Sequence, residues 1–223
     1  AMGGDFAPLE CIKGAIRTSS ELGKEIRLFL FGNEPILREL ILQEGGSPDS
    51  FTIVHTPEVI GMAESPTRAL TQKPNSSIAV GFNYLKEGKI DAFASAGNTG
   101  AMLVGAMYSV KTIEGVIRPA ISTLLPHSDE RLGFLLDVGA NADCKPEMLL
   151  QFGIMGALYA RYLYKVEDPK VALLSIGEEA GKGNLLVQAA YPLFQECDKI
   201  NFIGNVEGRD IFGDTADVIV TDG

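Results

Sequence analysis

A chain of 223 residues with 46% hydrophobic content suits one large α/β domain or two small ones around a packed core, and it excludes a disordered protein. The formal net charge of −10, with no cluster of lysines or arginines, excludes a nucleic-acid or anionic-membrane surface spread over the whole chain, so any anionic ligand has to be held locally. Cys11, Cys144 and Cys197 lie far apart with no leading signal segment, which argues against a disulfide framework or a CxxC metal site and sets a reducing cytoplasm as the expectation.

The chain opens on a turn, AMGGD at 1–5, with no strand before it, so the first strand of a strand-turn-helix architecture is expected to be missing. Pro8 begins a helical pattern through Cys11, Ile12, Ala15, Ile16 and Leu22 that Gly23 can terminate. Asp5 is read as its N-cap in preference to a catalytic carboxylate. A short apolar strand over 26–31 is followed by helical spacing over 35–43, and 51–54 reads as a second strand. His55 is read as a strand-end residue, since no second histidine or cysteine lies near it. Residues 55–73, with GMAESP at 61–66, look like a loop leading into a helix, and 77–87 is amphipathic up to Gly88.

The apolar run 90–94 reads as a buried strand and 101–110 as a helix, which makes SAGNTG at 95–100 a strand-to-helix turn with free backbone N–H groups. Unpaired donors and the positive end of the helix dipole favour an anion there. Gly97 and Gly100 let a ligand approach the backbone, and Ser95, Asn98 and Thr99 add short polar side chains. The turn is read as a phosphate site, with an ordinary N-cap and glycines for tight packing as the equal alternative. The same polar turn interrupts the longest uncharged stretch, 92–110, so no transmembrane helix is expected.

Two strand-like runs, 118–126 and 132–138, are separated by only five polar residues, too few for a crossover helix, and are expected to pair as an antiparallel hairpin in a mixed sheet. His127 is placed in the solvated hairpin tip, with an acid-base role as the minor reading. DVGANAD at 137–143 leads into an apolar helix over 146–164 whose Met148, Phe152, Met155, Tyr159 and Tyr162 read as core. Cys144, beside Lys145 at a helix start, is either an acyl-accepting nucleophile or, the favoured reading, a buried thiol without a histidine partner. A strand over 170–176 runs into GEEAGKGN at 177–184 and a helix over 185–197. That loop fails P-loop spacing and is not a nucleotide site, but Lys182 at a glycine-flanked helix start can serve a phosphate oxygen or a developing oxyanion, its position fixed by two acidic neighbours. Strands over 201–206 and 217–221 follow, and the chain stops without a further helix, which reads as truncation at that end too.

Ligands of open α/β sheets bind at the carboxyl ends of the strands, and here those ends carry SAGNTG, DVGANAD, GEEAGKGN and NVEGRD. The four loops are expected to line one cleft with Ser95, Gly97, Asn98, Thr99, Gly100, Asn141, Lys145, Lys182, Asn184, Asn205 and Arg209, Asn98 and Lys182 being the catalytic pair. This donor-rich set suits an anion and an acyl carbonyl. It lacks the carboxylate-histidine pattern of a metal hydrolase and any Ser-His-Asp arrangement.

AMGGDFAP at 1–8, VIGMAESP at 59–66, DAFASAGNTGA at 91–101, LLDVGANADCKPE at 135–147, IGEEAGKGN at 176–184 and INFIGNVEGRDI at 200–211 resemble, in order, the signature blocks of the PlsX phosphate acyltransferase family. The resemblance runs over 1–223 as a single domain truncated at both ends. It implies a three-layer α/β/α fold with a mostly parallel mixed sheet, similar to phosphotransacetylases and isopropylmalate-type dehydrogenases. It also implies transfer of a long-chain acyl group from acyl-carrier protein to inorganic phosphate for phospholipid synthesis. The implied setting is a cytoplasmic or membrane-peripheral homodimer, without metal or nucleotide, whose product passes to a membrane glycerol-3-phosphate acyltransferase. The alternatives are an acyl-CoA phosphotransacetylase, a dehydrogenase of similar fold, and a non-catalytic module that binds the carrier protein.

Overall fold

The computed structural model describes residues 1–127 and 131–223, the side chain of Lys24 excepted. The chain divides into two compact units, Ala1–Lys111 and Thr112–Gly223, each with its own buried clusters.

In the first unit, β1 (Phe29–Gly32) and β2 (Thr52–His55) pair in parallel with Leu30 opposite Ile53. Alternation along a strand sends Leu30 and Phe31 to opposite faces, so the two need different partners. On the Leu30 side, α1 (Leu9–Leu22) and α2 (Glu34–Gln43) bury Ile12, Leu37 and Ile41. On the other, Phe31 meets Tyr84 of α4 (Ser77–Lys86) and Phe93 edge-on, at centroid separations of 5.1 and 5.8 Å. Helices therefore cover both faces of this small sheet. A second cluster, built on Ile60, Ala69, Ile78, Phe82 and Ala101, joins α4 to α3 (Pro66–Gln72) and α5 (Thr99–Ser109). Short polar side chains start these helices: Asn33 Oδ1 accepts from Ile36 N, Ser76 Oγ from Ala79 N and Asn98 Oδ1 from Ala101 N.

Two expectations for this unit are corrected. Residues 90–94 join no sheet ladder among the described residues; Asp91, Ala92 and Ala94 are exposed, and only Phe93 is anchored, against Phe31, Phe82 and the bare Cα of Gly81. An aspartate and two alanines have little to bury and weak strand preference, so one aromatic fixes the segment without a ladder. Asp5 does not cap α1: the N-cap is Pro8, which makes no side-chain hydrogen bond, and Asp5 is exposed. His55 does end β2, its Nδ1 accepting from Glu34 N at 3.2 Å.

The second unit holds β3 (Ser122–Pro126), β4 (Leu132–Leu136), β5 (Lys170–Leu174), β6 (Asn201–Val206) and β7 (Val218–Val220), ordered β3-β4-β7-β5-β6. β3 and β4 form the expected antiparallel pair, and the other neighbours run parallel, giving a mixed, mostly parallel sheet. α6 (Pro146–Tyr164) and α7 (Leu185–Gln195) cover one face, where Phe134, Leu136, Val171, Leu173, Val218 and Val220 meet Phe152, Ala160, Val187 and Phe194. The intervening strand residues Leu135, Ala172 and Ile219 belong to a cluster on the opposite face with Leu125, Val206 and Ala216. Gly156 brings α6 onto the sheet, since a Cβ there would run into Val218 Cγ1.

The hairpin turn at 128–130 lies outside the described residues. His127, placed in a solvated tip by the sequence, is instead buried, its side chain only 1% exposed. The reason is cross-strand: the ring lies over Gly133, where a side chain would occupy the space of Nε2. Its Nδ1 is 3.9 Å from Asp214 Oδ1.

Candidate functional site

In the first unit the candidate seat is the start of α5. Asn98 is 5% exposed, and its side chain is fully committed. Oδ1 accepts from Ala101 N at 3.1 Å, while Nδ2 donates to the carbonyl oxygens of Gly61, Met62 and Glu64 at 3.1, 3.0 and 3.1 Å. Asn98 thus bolts the 61–64 loop to the helix start and has no donor left for a reacting group. Ser95 is also occupied, its Oγ donating to Gly97 O and accepting from Gly97 N, both at 3.2 Å. Gly97, at φ +124°, adopts a conformation that a side chain would strain, and Gly100 lies against Pro66. Among the described residues, no acceptor takes the N–H of Thr99 or Gly100, and no carboxylate lies in the first turn. Those two amides, with the helix dipole behind them, are what the turn offers an anion.

The sequence reading missed Glu64 and Lys73, which frame the same loop. Glu64 Oε1 accepts from Gly61 N at 2.7 Å and from Lys73 Nζ, and Lys73 Nζ also donates to Val59 O. The Lys73 bond, reinforced by the Gly61 amide, holds the Glu64 carboxyl below its ordinary range. A glutamate three residues beyond a glycine, able to turn back on that glycine's N–H, was the available signal.

In the second unit the DVGANAD loop supplies its own anion. The buried Asp137 carboxylate accepts from Ile121 N, Ala140 N, Asn141 N and Asn141 Nδ2, at 2.7 to 3.2 Å. Asn141 Nδ2 also donates to Pro119 O at 2.8 Å, so the amides and carboxamide expected to face a substrate are spent on Asp137. Lys145 stands at the N-cap of α6 and makes no ion pair among the described residues. Cys144 Sγ lies 3.6 Å from Asn141 O. Burial, with Asp137 and Asp222 nearby, raises its thiol above the ordinary range despite the Gly223 amide and Arg118. A protonated thiol is a poor nucleophile, so if the chain carries out the acyl transfer that its resemblance implies, Cys144→Ser is expected to keep turnover within about threefold of the parent. A stable acyl-enzyme isolated without phosphate would contradict this.

At the carboxyl ends of β5 and β6, Lys182 is exposed and makes no ion pair among the described residues. The carboxylates of its two acidic neighbours do not hold it: Glu178 pairs with Arg209 at 3.2 Å, and Lys182 N donates at 2.9 Å to the backbone carbonyl of Glu179, not to its carboxylate. Asn184 caps α7 through Val187 N at 2.9 Å. Asn205, 6% exposed, donates from Nδ2 to Glu179 O at 2.9 Å. Arg209 is surrounded by Glu178, Glu207 and Asp210, which offset its charge. Of the lysines and arginine expected to meet an anion, Lys182 and Lys145 are the two without carboxylate partners among the described residues.

The family model described as "Fatty acid synthesis protein" matches residues 1–223. The chain belongs to that family. Curated relatives that it matches are named phosphate acyltransferase. One from Dictyoglomus turgidum is 47% identical over 223 residues, covering 100% of this chain and 66% of its own length, and one from Desulforamulus reducens is 49% identical with the same coverage. The chain thus spans about two thirds of the length of these relatives. The signature blocks that resemble PlsX sit in a chain of that family. The family fold extends to distant structures: a EutD phosphotransacetylase from Staphylococcus aureus superposes with a TM-score of 0.62 at 18% identity, over 95% of this chain and 74% of its own. A branched-chain phosphotransacylase from Enterococcus faecalis gives 0.57 at 14%, over 98% and 76%. No helix among the described residues is long and apolar enough to cross a membrane.

Proposed function

We propose that the protein transfers a fatty acyl group from the thioester of acyl-carrier protein to inorganic phosphate. The phosphate oxygen attacks the thioester carbonyl, the C–S bond breaks and a C–O bond forms, and the phosphate proton ends on the departing carrier thiol. The observation that carries this reading is the start of α5, where the Thr99 and Gly100 amides are without acceptors among the described residues. In a family whose relatives are named phosphate acyltransferase, the anion they suit is phosphate.

Lys182 supplies the positive charge for the developing oxyanion, and a thiol leaving group needs no strong acid. Phosphate held in a near-attack position accounts for much of the rate. From the family resemblance, the working protein is a homodimer in the cytoplasm or at the inner membrane face, and it passes acyl phosphate to a membrane glycerol-3-phosphate acyltransferase.

The test is phosphate-dependent release of thiol from long-chain acyl-carrier protein, with acyl-CoA run in parallel. Release from the carrier thioester at a kcat/KM about tenfold or more above that for acyl-CoA supports the reading. Preference for acyl-CoA replaces it with a phosphotransacetylase. Carrier binding without thiol release makes the chain a recruitment module.

A further inference from the structure

We infer that Asn205 acts as the positioning residue for Lys182, and not as a substrate ligand. This rests on the reading of Lys182 given above. The 177–184 loop reaches from β5 to α7, and one carbonyl, Glu179 O, organises its turn. Lys182 N donates to that oxygen from within the loop, and Asn205 Nδ2 donates to it from β6, each at 2.9 Å. Asn205 is thus one shared acceptor away from the Lys182 backbone. Its own backbone is fixed in the ladder opposite Leu173 of β5, so the tether runs from a rigid strand to the turn that presents the amine.

The carboxamide is also unusual in what it leaves unmade. Among the described residues, Asn205 Oδ1 is buried without a hydrogen-bond partner, as is Ser175 Oγ just after β5. Orphaned polar atoms are rare in native interiors, and a residue that tolerates one keeps the rest of its side chain for a reason. Among the described residues, the remaining atom, Nδ2, has one target, Glu179 O. The other links to this loop are weaker candidates for setting its place. Arg209 reaches Glu178 across an ion pair exposed by about two thirds on both sides, and Gln188 Nε2 reaches Gly183 O at 3.0 Å from an exposed position on α7.

A double-mutant cycle on phosphate-dependent thiol release tests the link. Asn205→Ala is expected to lower kcat about tenfold, with the KM for phosphate within about twofold of the parent. In a Lys182→Ala background the same change is expected to alter kcat less than about twofold, because a residue acting through Lys182 has nothing left to act on. Multiplicative losses would mean that Asn205 touches the substrate, and they overturn the proposal.

Trypsin cleavage of the Lys182–Gly183 bond reads the tether without reference to activity. Asn205→Ala and the near-isosteric Asn205→Asp, which removes the donor but keeps the volume, should both accelerate it about fivefold or more while cleavage after Lys165 stays unchanged. An unchanged rate at Lys182–Gly183 in both variants overturns the tether itself. Full turnover in Lys182→Ala overturns the reading of Lys182 and the proposal with it, a failure separate from that of the tether.

Discussion

Asn98→Asp is expected to lower kcat/KM for phosphate about 100- to 1,000-fold, most of it as a raised KM for phosphate. The substitution preserves size and keeps an oxygen for the Ala101 N–H, so the helix cap survives. What it removes is the pair of N–H donors serving Gly61, Met62 and Glu64, whose three carbonyl oxygens would then face a carboxylate. These carbonyls are only part-buried, so their lost bonds cost less than the about 1–3 kcal/mol of a fully buried group, but a fall in Tm still accompanies the kinetic loss. The new charge stands one residue before the Thr99 and Gly100 amides, and like charges about 4–5 Å apart repel by several kcal/mol at an effective dielectric near 20.

Asn98→Ala separates the two effects. It loses both the cap and the donors, yet adds no charge, so it should be at least as unstable while retaining a lower KM for phosphate than the aspartate variant. Steady-state kinetics over a phosphate series, with Tm measured at low and saturating phosphate, makes the comparison. Equal phosphate KM values in the two variants would remove the anion from the start of α5.

The helix starts were legible because their signal is local. Asn33, Ser76, Asn98 and Asn184 each stand immediately before a helix and accept from an N–H three residues on. The β3–β4 hairpin was legible from loop length alone. What could not be read were partners fixed by the fold. Asn98 looks in sequence like a donor waiting for a ligand, because the three carbonyls that occupy it lie 34 to 37 residues upstream. His127 looks like a turn residue because nothing local reveals that Gly133 opens a place for its ring. The 90–94 segment has the apolar character of a strand but takes its position from Phe93.

Asp137 is the intermediate case. Its bonds to Ala140 and Asn141 span three and four residues, an aspartate closing its own turn, a pattern that is local in sequence but competes there with Asn141 as a ligand. The polar loops at the strand ends are therefore less alike than their composition suggests. One holds its own carboxylate, one has its arginine offset by three acids, and the amides of Thr99 and Gly100 and the amine of Lys182 remain uncommitted among the described residues.

Lys182→Ala should then lower kcat about 100- to 1,000-fold with the KM for phosphate nearly unchanged, the reverse of the Asn98→Asp pattern. An ammonium that meets negative charge only as the thioester carbonyl becomes tetrahedral stabilises the transition state and not the bound phosphate, so its loss appears in kcat. The side chain is exposed and its charge is not offset by a carboxylate among the described residues, so little of its interaction is spent in the resting protein. Lys182→Arg distinguishes charge from placement. The guanidinium keeps the positive charge but is planar and bulkier, and at a turn with Gly181 and Gly183 on either side it should recover about a tenth of the parent rate. Full recovery by arginine would mean that the field alone matters. A Lys182→Ala enzyme losing less than about threefold would make the amine a solvated surface charge, and the oxyanion would have to be met by backbone donors instead.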